Sequence, residues 1–513
     1  MKSKIFVLGI LSSLLAISSI QTARGGLRQH GANRDLVFLS PTEAGSQDSG
    51  RLKIEPYLFE ASSKQKVDAE FGRLLVPENR NNPSNRLVEL AFVRFKSTAQ
   101  TPGPPIVYLA GGPGGSGIAA ARGTRFPLFM AMREIGDVIA LDQRGVGQSK
   151  PNLICFDSFK YPVETPPDRK TVVDLFRQQS RACRERWLSQ GVDLTGYNTN
   201  ESADDLEDLR KALGAERISL WAISYGTHLS LATIRRHEKS IHRMILAGVE
   251  GPDHTLKLPS NIQRHLDNLD KLVRSDPVLS KEIADLPGLI KVVLDRVERE
   301  PVTVEVTDPQ TQQKVKVAVN KFVLQMLTAN SFGLDEADLP ERYYTLSRGD
   351  FSIAALGWLR TIRRGSAIGS AMPFMMDCAS GASAERRLRI AREAKNTLIG
   401  DTMDFPFPDV CDAWGSPDLG PVFRSPVRSR VPVLFISGTL DVRTPPGNAE
   451  EVRRGFPNSS HLIIDGAVHS DPLFLSSPKI KDVMVEFMKG QPISTTRIAL
   501  PPLRFTPVKR QGT

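Results

Sequence analysis

Short apolar runs, each followed by turn residues, recur along this chain with helical patterns between them. Residues 105–110, 137–142, 218–223 and 243–248 are four such runs, and 203–213 and 227–236 carry helical periodicity. This alternation specifies a largely parallel sheet covered by helices on both faces. Upstream, β-type runs at 68–77 and 87–95 flank an Asn/Pro-rich turn at 78–85, which reads as a hairpin. The balance of 40% hydrophobic and 24% charged residues excludes a wholly disordered chain, a collagen-like fibre and a polytopic membrane protein.

The pattern breaks at 252–426, which reads as mostly helical with one β-like stretch at 302–319, divided by a turn at 308–310. The apolar strand signature returns at 431–436 and 461–464, and a closing helix follows near 480–488. The economical division is a signal and leader at 1–25, a sheet domain at 26–251, an insertion at 252–426, the rest of the sheet domain at 427–490, and a Pro-rich extended tail at 491–513. Residues 26–52 are Gly, Ser and Gln rich and read as a loose leader.

Lys2 and Lys4 precede an apolar run at 5–17 and then small residues, with Ala16 and Ser18 in a small-x-small pattern. This is the order of a cleaved secretory signal, too short and serine-interrupted for a spanning helix. The expected location is therefore periplasmic or extracellular, with no stable membrane association after cleavage. Export makes the four cysteines candidates for disulfides. Three pairings are possible, and proximity in the chain favours Cys155 with Cys183 and Cys378 with Cys411. The net charge of +10 is scattered and lies on no nucleic-acid-reading motif, so nucleic acid is not an expected partner.

The strongest chemical signal is Trp221-Ala-Ile-Ser-Tyr-Gly226. Ser224 stands between an apolar strand and a helical pattern, with small residues two before and two after. A nucleophile elbow needs this arrangement, because a tight strand–turn–helix exposes the hydroxyl in strained backbone. Ala222 replaces the usual glycine and adds one methyl. In α/β-hydrolases the acid and then the imidazole follow the serine along the chain. Asp441 stands just beyond the strand at 431–437, and His469 lies in the loop after 461–464. Both fall at the carboxyl edge of the sheet, where ligands bind. Ser224 is thus the expected nucleophile, His469 its base and Asp441 the orienting acid. Asp465 and Asp471 are rival acids too near His469 in the chain to serve easily. His228, one turn beyond Ser224 on the elbow helix, reads as a packing residue, and His237, His242, His254 and His265 follow no strand-edge pattern.

An acyl-transfer site also needs oxyanion donors. The backbone N–H of Tyr225 is one. The loop Ala110-Gly-Gly-Pro-Gly-Gly-Ser-Gly117 is the expected source of the second. It lacks the Lys-Ser/Thr of a phosphate loop and the spacing of a dinucleotide fingerprint. The segment 142–149 reads as a structural turn, in which Asp142 and Arg144 could brace the oxyanion loop.

Together, Gly-Gly-Pro-Gly at 111–114, Asp-Gln-Arg-Gly at 142–145 and the elbow at 222–226 resemble the prolyl and tripeptidyl aminopeptidases, serine peptidases of the α/β-hydrolase fold. The resemblance covers about residues 68–250 and 427–475. It implies an α/β-hydrolase fold, a mostly parallel sheet flanked by helices, with a large, mainly helical cap made by the insertion. It also implies Gly112 and Tyr225 as oxyanion donors, no cofactor or metal, and a peptide substrate with a free N-terminus. Ala110 and Tyr225 stand where prolyl enzymes carry His and Trp, which points to the secreted tripeptidyl branch. An anion must meet the substrate ammonium, and Glu250, just past the strand at 243–248, is the first candidate. Asp377, beside Cys378, is the second. The sequence leaves open an esterase or amidase acting on a small ester or lactone, and a catalytically silent binding protein on the same fold. It also leaves the oligomeric state open.

Overall fold

The computed structural model describes residues 51–82, 86–156, 161–333, 336–363 and 368–508. The expected signal peptide and nearly all of the expected leader lie outside the described residues.

One ten-stranded sheet organises the chain. Its strands are β1 (Leu52–Glu60), β2 (Lys66–Pro77), β3 (Leu87–Phe95), β4 (Gly103–Leu109), β5 (Gly136–Asp142), β6 (Ile218–Ser224), β7 (Ile241–Val249), and, numbered after a hairpin of β8 (Val302–Thr307) and β9 (Lys314–Val319), β10 (Val433–Gly438), β11 (Ser459–Asp465) and β12 (Arg497–Ala499). Their spatial order is β1-β2-β3-β5-β4-β6-β7-β10-β11-β12. The pairs among β1, β2, β3 and β5 are antiparallel, and every pair from β5 through β12 is parallel. The chain leaves β4 toward β5 on one side and leaves β6 toward β7 on the other. The two central strands are thus a switch point, whose diverging connections open a crevice at the carboxyl edge.

Successive residues on the central strands feed different cores. Val107, Leu109, Leu220, Ala222 and Leu246 belong to one, while Ile106, Tyr108, Trp221, Ile223 and Ala247 belong to the other. Both faces are covered, which is why these strands read as unbroken apolar runs.

The edges were less legible. Strand β1 pairs along its full length with β2, Leu52 opposite Leu74 through Glu60 opposite Lys66. It lies where a loose leader was expected to end. Ile54 and Leu58 face solvent, so its pattern does not announce a buried strand. The expected tail supplies β12, and its Leu503, Phe505 and Val508 pack on the core of the insertion.

Between β7 and β10 the chain forms helices and the β8–β9 hairpin, packed around a third core. That core does not respect the sequence division at 252. Tyr161 and Val172 join it from the β5–β6 connection, and Leu440 and Val442 join it from the loop after β10. Among the described residues, no helix is long and apolar enough to cross a membrane.

The cysteines pair as chain proximity suggested, Cys155 with Cys183 and Cys378 with Cys411. The first bond ties helix Arg169–Ser189 to the sheet side, and the second ties helix Met372–Ser380 to the turn Cys411–Ala413. Loops of 28 and 33 residues are closed. In the chain-entropy model each such closure contributes about 3–4 kcal/mol. Replacing either pair by serines is therefore expected to lower the thermal midpoint by several degrees in non-reducing buffer. An unchanged midpoint would show that the bond does not constrain the unfolded chain.

Candidate active site

Ser224 ends β6 and caps helix Tyr225–His237, with φ 55° and ψ −128°. A non-glycine residue in this region costs about 1–3 kcal/mol, so its surroundings must impose it. They do so by close packing. A Cβ on residue 226 would lie 2.2 Å from the Leu109 carbonyl oxygen, and one on residue 111 would lie 2.8 Å from Ser224 Cβ. Glycine at 226 and 111 lets the ends of β4 and β6 approach. Ala222 needs no such freedom; it is a regular strand residue in register with Leu109 and Leu246. Thr227 Oγ1 donates to the Ser224 carbonyl at 2.7 Å and accepts from the Glu250 amide at 2.8 Å, locking the elbow to the end of β7.

The expected acid and imidazole meet. His469 Nδ1 lies 2.8 Å from Asp441 Oδ2, and Asp441 is buried. Burial opposes the charge of Asp441, but His469 and the hydrogen bonds from His469 and Thr444 outweigh it and hold the carboxyl below its ordinary value. An ionised Asp441 fixes the Nδ1–H tautomer and leaves Nε2 free as a base. The ring is seated by missing side chains. A Cβ on Gly248 would fall 3.1 Å from His469 Cε1, and one on Gly333 would fall 3.2 Å from His469 Cβ. Gly248 adjoins Val249, the residue in register with Ser224, so hydroxyl, imidazole and carboxylate converge at one edge of the sheet. The rival acids are engaged elsewhere, Asp465 by Arg497 at 2.7 Å and Asp471 by Arg125 at 2.8 Å. His228 is buried between the Gly251 carbonyl and Ser380 Oγ, a packing role.

Two supporting residues escaped sequence reasoning. Thr444 donates its N–H to Asp441 Oδ1 at 2.9 Å and its hydroxyl to Oδ2 at 2.6 Å, and its oxygen lies 3.1 Å from His469 Nδ1. The Asp-x-x-Thr spacing of a side-chain-capped turn was its available signal. Arg125 is buried and holds the segment just past the imidazole, with Nε to Asp471 at 2.8 Å, a terminal nitrogen to Ser470 Oγ at 3.2 Å, and a further bond to Tyr108 OH. Nothing in the sequence around Arg125 announces this.

The glycine loop lies against the elbow. Gly112 and Gly114 have φ of +124° and +98°, which bulky side chains disfavour. Asp142 anchors the loop by accepting from Ser116 Oγ at 2.5 Å and the Ile118 amide at 3.1 Å, and Gln143 donates to the Ala110 carbonyl at 3.2 Å. Arg144 does not share in this, contrary to expectation. It is fully buried against Asp205 at 2.6 Å and the Glu78 carbonyl at 2.6 Å, where it joins the β2–β3 turn to helix Thr199–Ala212. The Tyr225 amide is the first of its helix and so has no acceptor within it.

Glu250 and Asp377 are brought together beside Tyr225. Glu250 accepts from Lys257 Nζ at 2.8 Å, an ion pair the sequence did not suggest. Burial, and then the neighbouring Glu250, push the Asp377 carboxyl well above the ordinary range. A third carboxyl, Asp404, joins them by accepting the Lys257 amide at 2.7 Å, and burial pushes it up to about 7. Of the three carboxyl groups, Glu250 alone bonds the Lys257 ammonium, whose other partners are the His254 and Thr255 carbonyls. Among the described residues, no group of three or more His, Cys, Asp or Glu side chains is arranged to hold a metal ion.

The chain matches the alpha/beta hydrolase fold family over residues 104–474. It is 31% identical to the serine protease Hip1 of Mycobacterium tuberculosis over 193 residues, 36% of each chain. It is 30% identical to the tripeptidyl aminopeptidase of Streptomyces lividans over 194 residues, 35% of each. The matched segments span about a third of these relatives' length. The crystal structure of proline iminopeptidase from Mycobacterium smegmatis aligns with 82% of this chain and 98% of its own, at 14% identity and a TM-score of 0.38.

Substitutions at two positions test the supporting residues. Thr444→Val removes one hydrogen bond to a charged group, worth about 1.5–3 kcal/mol, so fluorophosphonate labelling of Ser224 is expected to slow roughly tenfold or more. Arg125→Leu is expected to slow labelling while Arg125→Lys restores part of the rate. Wild-type rates in both Thr444→Val and Arg125→Leu would mean that neither residue supports the imidazole.

Proposed function

Because the chain belongs to the alpha/beta hydrolase fold family, we propose that it is an exported serine peptidase that removes short units from the free N-terminus of peptides. Ser224 Oγ attacks the scissile carbonyl while His469 Nε2 takes its proton. The Gly112 and Tyr225 amides receive the oxyanion, and Asp441 stabilises the imidazolium. His469 then protonates the departing amine, and water, activated by the same imidazole, releases the acyl unit. This chemistry calls on no metal or organic cofactor. The two disulfides support the exported location.

The observation that carries the aminopeptidase reading is the carboxyl cluster at the elbow. Glu250 follows Val249, the register partner of Ser224, and Asp377 and Asp404 crowd the same spot. One lysine leaves that cluster able to take a second cation. An arriving substrate ammonium favours ionisation of Asp377, which burial otherwise holds neutral. The fragmentary similarity to a tripeptidyl aminopeptidase points the same way.

Fluorogenic peptides with free and acetylated N-termini test this. The free form is expected to turn over at least tenfold faster, and Glu250→Gln is expected to raise KM for it by about tenfold, the scale of one charge-assisted hydrogen bond. Equal rates on both forms would favour the esterase or amidase reading. The pH dependence has a defined sign. Asp404, raised to about 7, is neutral below that value and charged above it, so KM for the N-terminal ammonium is expected to fall as pH rises from about 6 to about 7, where the substrate amine stays protonated. A flat KM across that window would remove Asp404 from the subsite.

A further inference from the structure

The loop after β10 carries a cation that the triad chemistry does not use. Arg443 lies two residues past Asp441, and its neighbour Val442 is buried in the core of the insertion, so the loop is held where sheet edge and insertion meet. Arg443 Nε donates to the Phe332 carbonyl at 3.2 Å. Its stem runs past Gly333. A Cβ on that glycine would sit 3.6 Å from Arg443 Nε and 3.2 Å from His469 Cβ. Guanidinium and imidazole therefore flank the same bare glycine, whose φ of +85° disfavours any side chain.

The charged neighbours do not satisfy this arginine. Asp441 is committed to His469 and Thr444. Glu336, buried, accepts from the Gly333 amide. His265, packed on Phe332 from helix Pro259–Ser275, is held near a value of about 4 by burial and is neutral. Among the described residues, no carboxylate lies within ion-pair distance of Arg443, and its two terminal nitrogens have no hydrogen-bond partner. Burial works against the cation, and the attraction of Asp441 and Glu336 does not offset it. A part-buried guanidinium with an open fork matches a carboxylate in geometry and charge. Its place beside His469 sets which part of the substrate it meets, because His469 must deliver its proton to the leaving amine.

We propose that Arg443 forms a carboxylate-binding subsite for the leaving fragment, so that peptides presenting a free C-terminal carboxylate or an acidic side chain just beyond the scissile bond are preferred. This rests on the peptidase reading above. With the carboxyl cluster at Glu250, it makes the rim bipolar, suited to short peptides with both termini free.

Four peptides sharing one acyl part separate the sources of the carboxylate: leaving residues Ala as acid and as amide, and Asp and Asn, both as amides. In the wild type, at least one acid–neutral pair is expected to differ in kcat/KM by about tenfold, the scale of one charge-assisted contact. The first pair reports a C-terminal carboxylate, and the second an acidic side chain. Arg443→Gln is expected to bring the ratio near one, and Arg443→Lys to keep part of it. Each ratio comes from one preparation, so it does not depend on the fraction that folds. Wild-type ratios of one in both pairs, or ratios unchanged in Arg443→Gln, would overturn the proposal. If no peptide is cleaved, the peptidase reading fails separately. Esters whose leaving alcohol carries a carboxylate or its amide then put the same question to Arg443, with the same two outcomes.

Discussion

The site depends on a close approach of backbone to backbone. The Leu109 carbonyl at the end of β4 occupies the space that a side chain on residue 226 would need. That contact pulls the start of helix Tyr225–His237 against the neighbouring strand and forces the turn at Ser224 into its strained conformation. Gly111 repeats the device on the other side of the serine, and Gly248 and Gly333 repeat it around His469. The reactive groups are thus positioned by where side chains are missing as much as by the bonds they make. Strain of this kind persists only when the surroundings over-determine it, and two central strands buried where they meet the elbow supply that rigidity.

Electrostatics then divides the labour. Asp441 stays ionised despite burial because His469 and Thr444 both serve its oxygens. Asp377 and Asp404, with fewer donors, are pushed toward neutrality. The same desolvation acts on all three carboxyls, and the number of charge-assisted partners decides the outcome. A group poised in this way responds to an incoming cation, whereas a satisfied one holds its partner still. Arg443 is the cationic counterpart, desolvated and under-partnered.

Much of this was legible because parallel strands buried on both faces leave continuous apolar runs. The loops that carry Ser224, Asp441 and His469 follow directly from β6, β10 and β11, so placing the strands placed the residues. The elbow glycines and the cysteine pairs were equally readable from spacing. What escaped was set by tertiary contact alone. Strand β1 carries exposed apolar residues on an edge and lacks the signature of burial. Arg144 binds Asp205, distant in the chain, and not the glycine loop that its neighbours Asp142 and Gln143 hold. The third core draws Tyr161 and Val172 from before the expected boundary, because a packed core collects residues by space and not by order. The ion pair of Lys257 with Glu250, and the brace of Arg125 on Asp471, have no local pattern that could reveal them.

The most direct test is to trap the covalent intermediate. Protein quenched in acid during turnover of a slowly deacylating peptide ester is digested and mapped by mass spectrometry. The account requires one acyl group per chain, carried by the fragment containing Ser224 and absent in Ser224→Ala. Steady turnover with no adduct, or an adduct on any other residue, would contradict it.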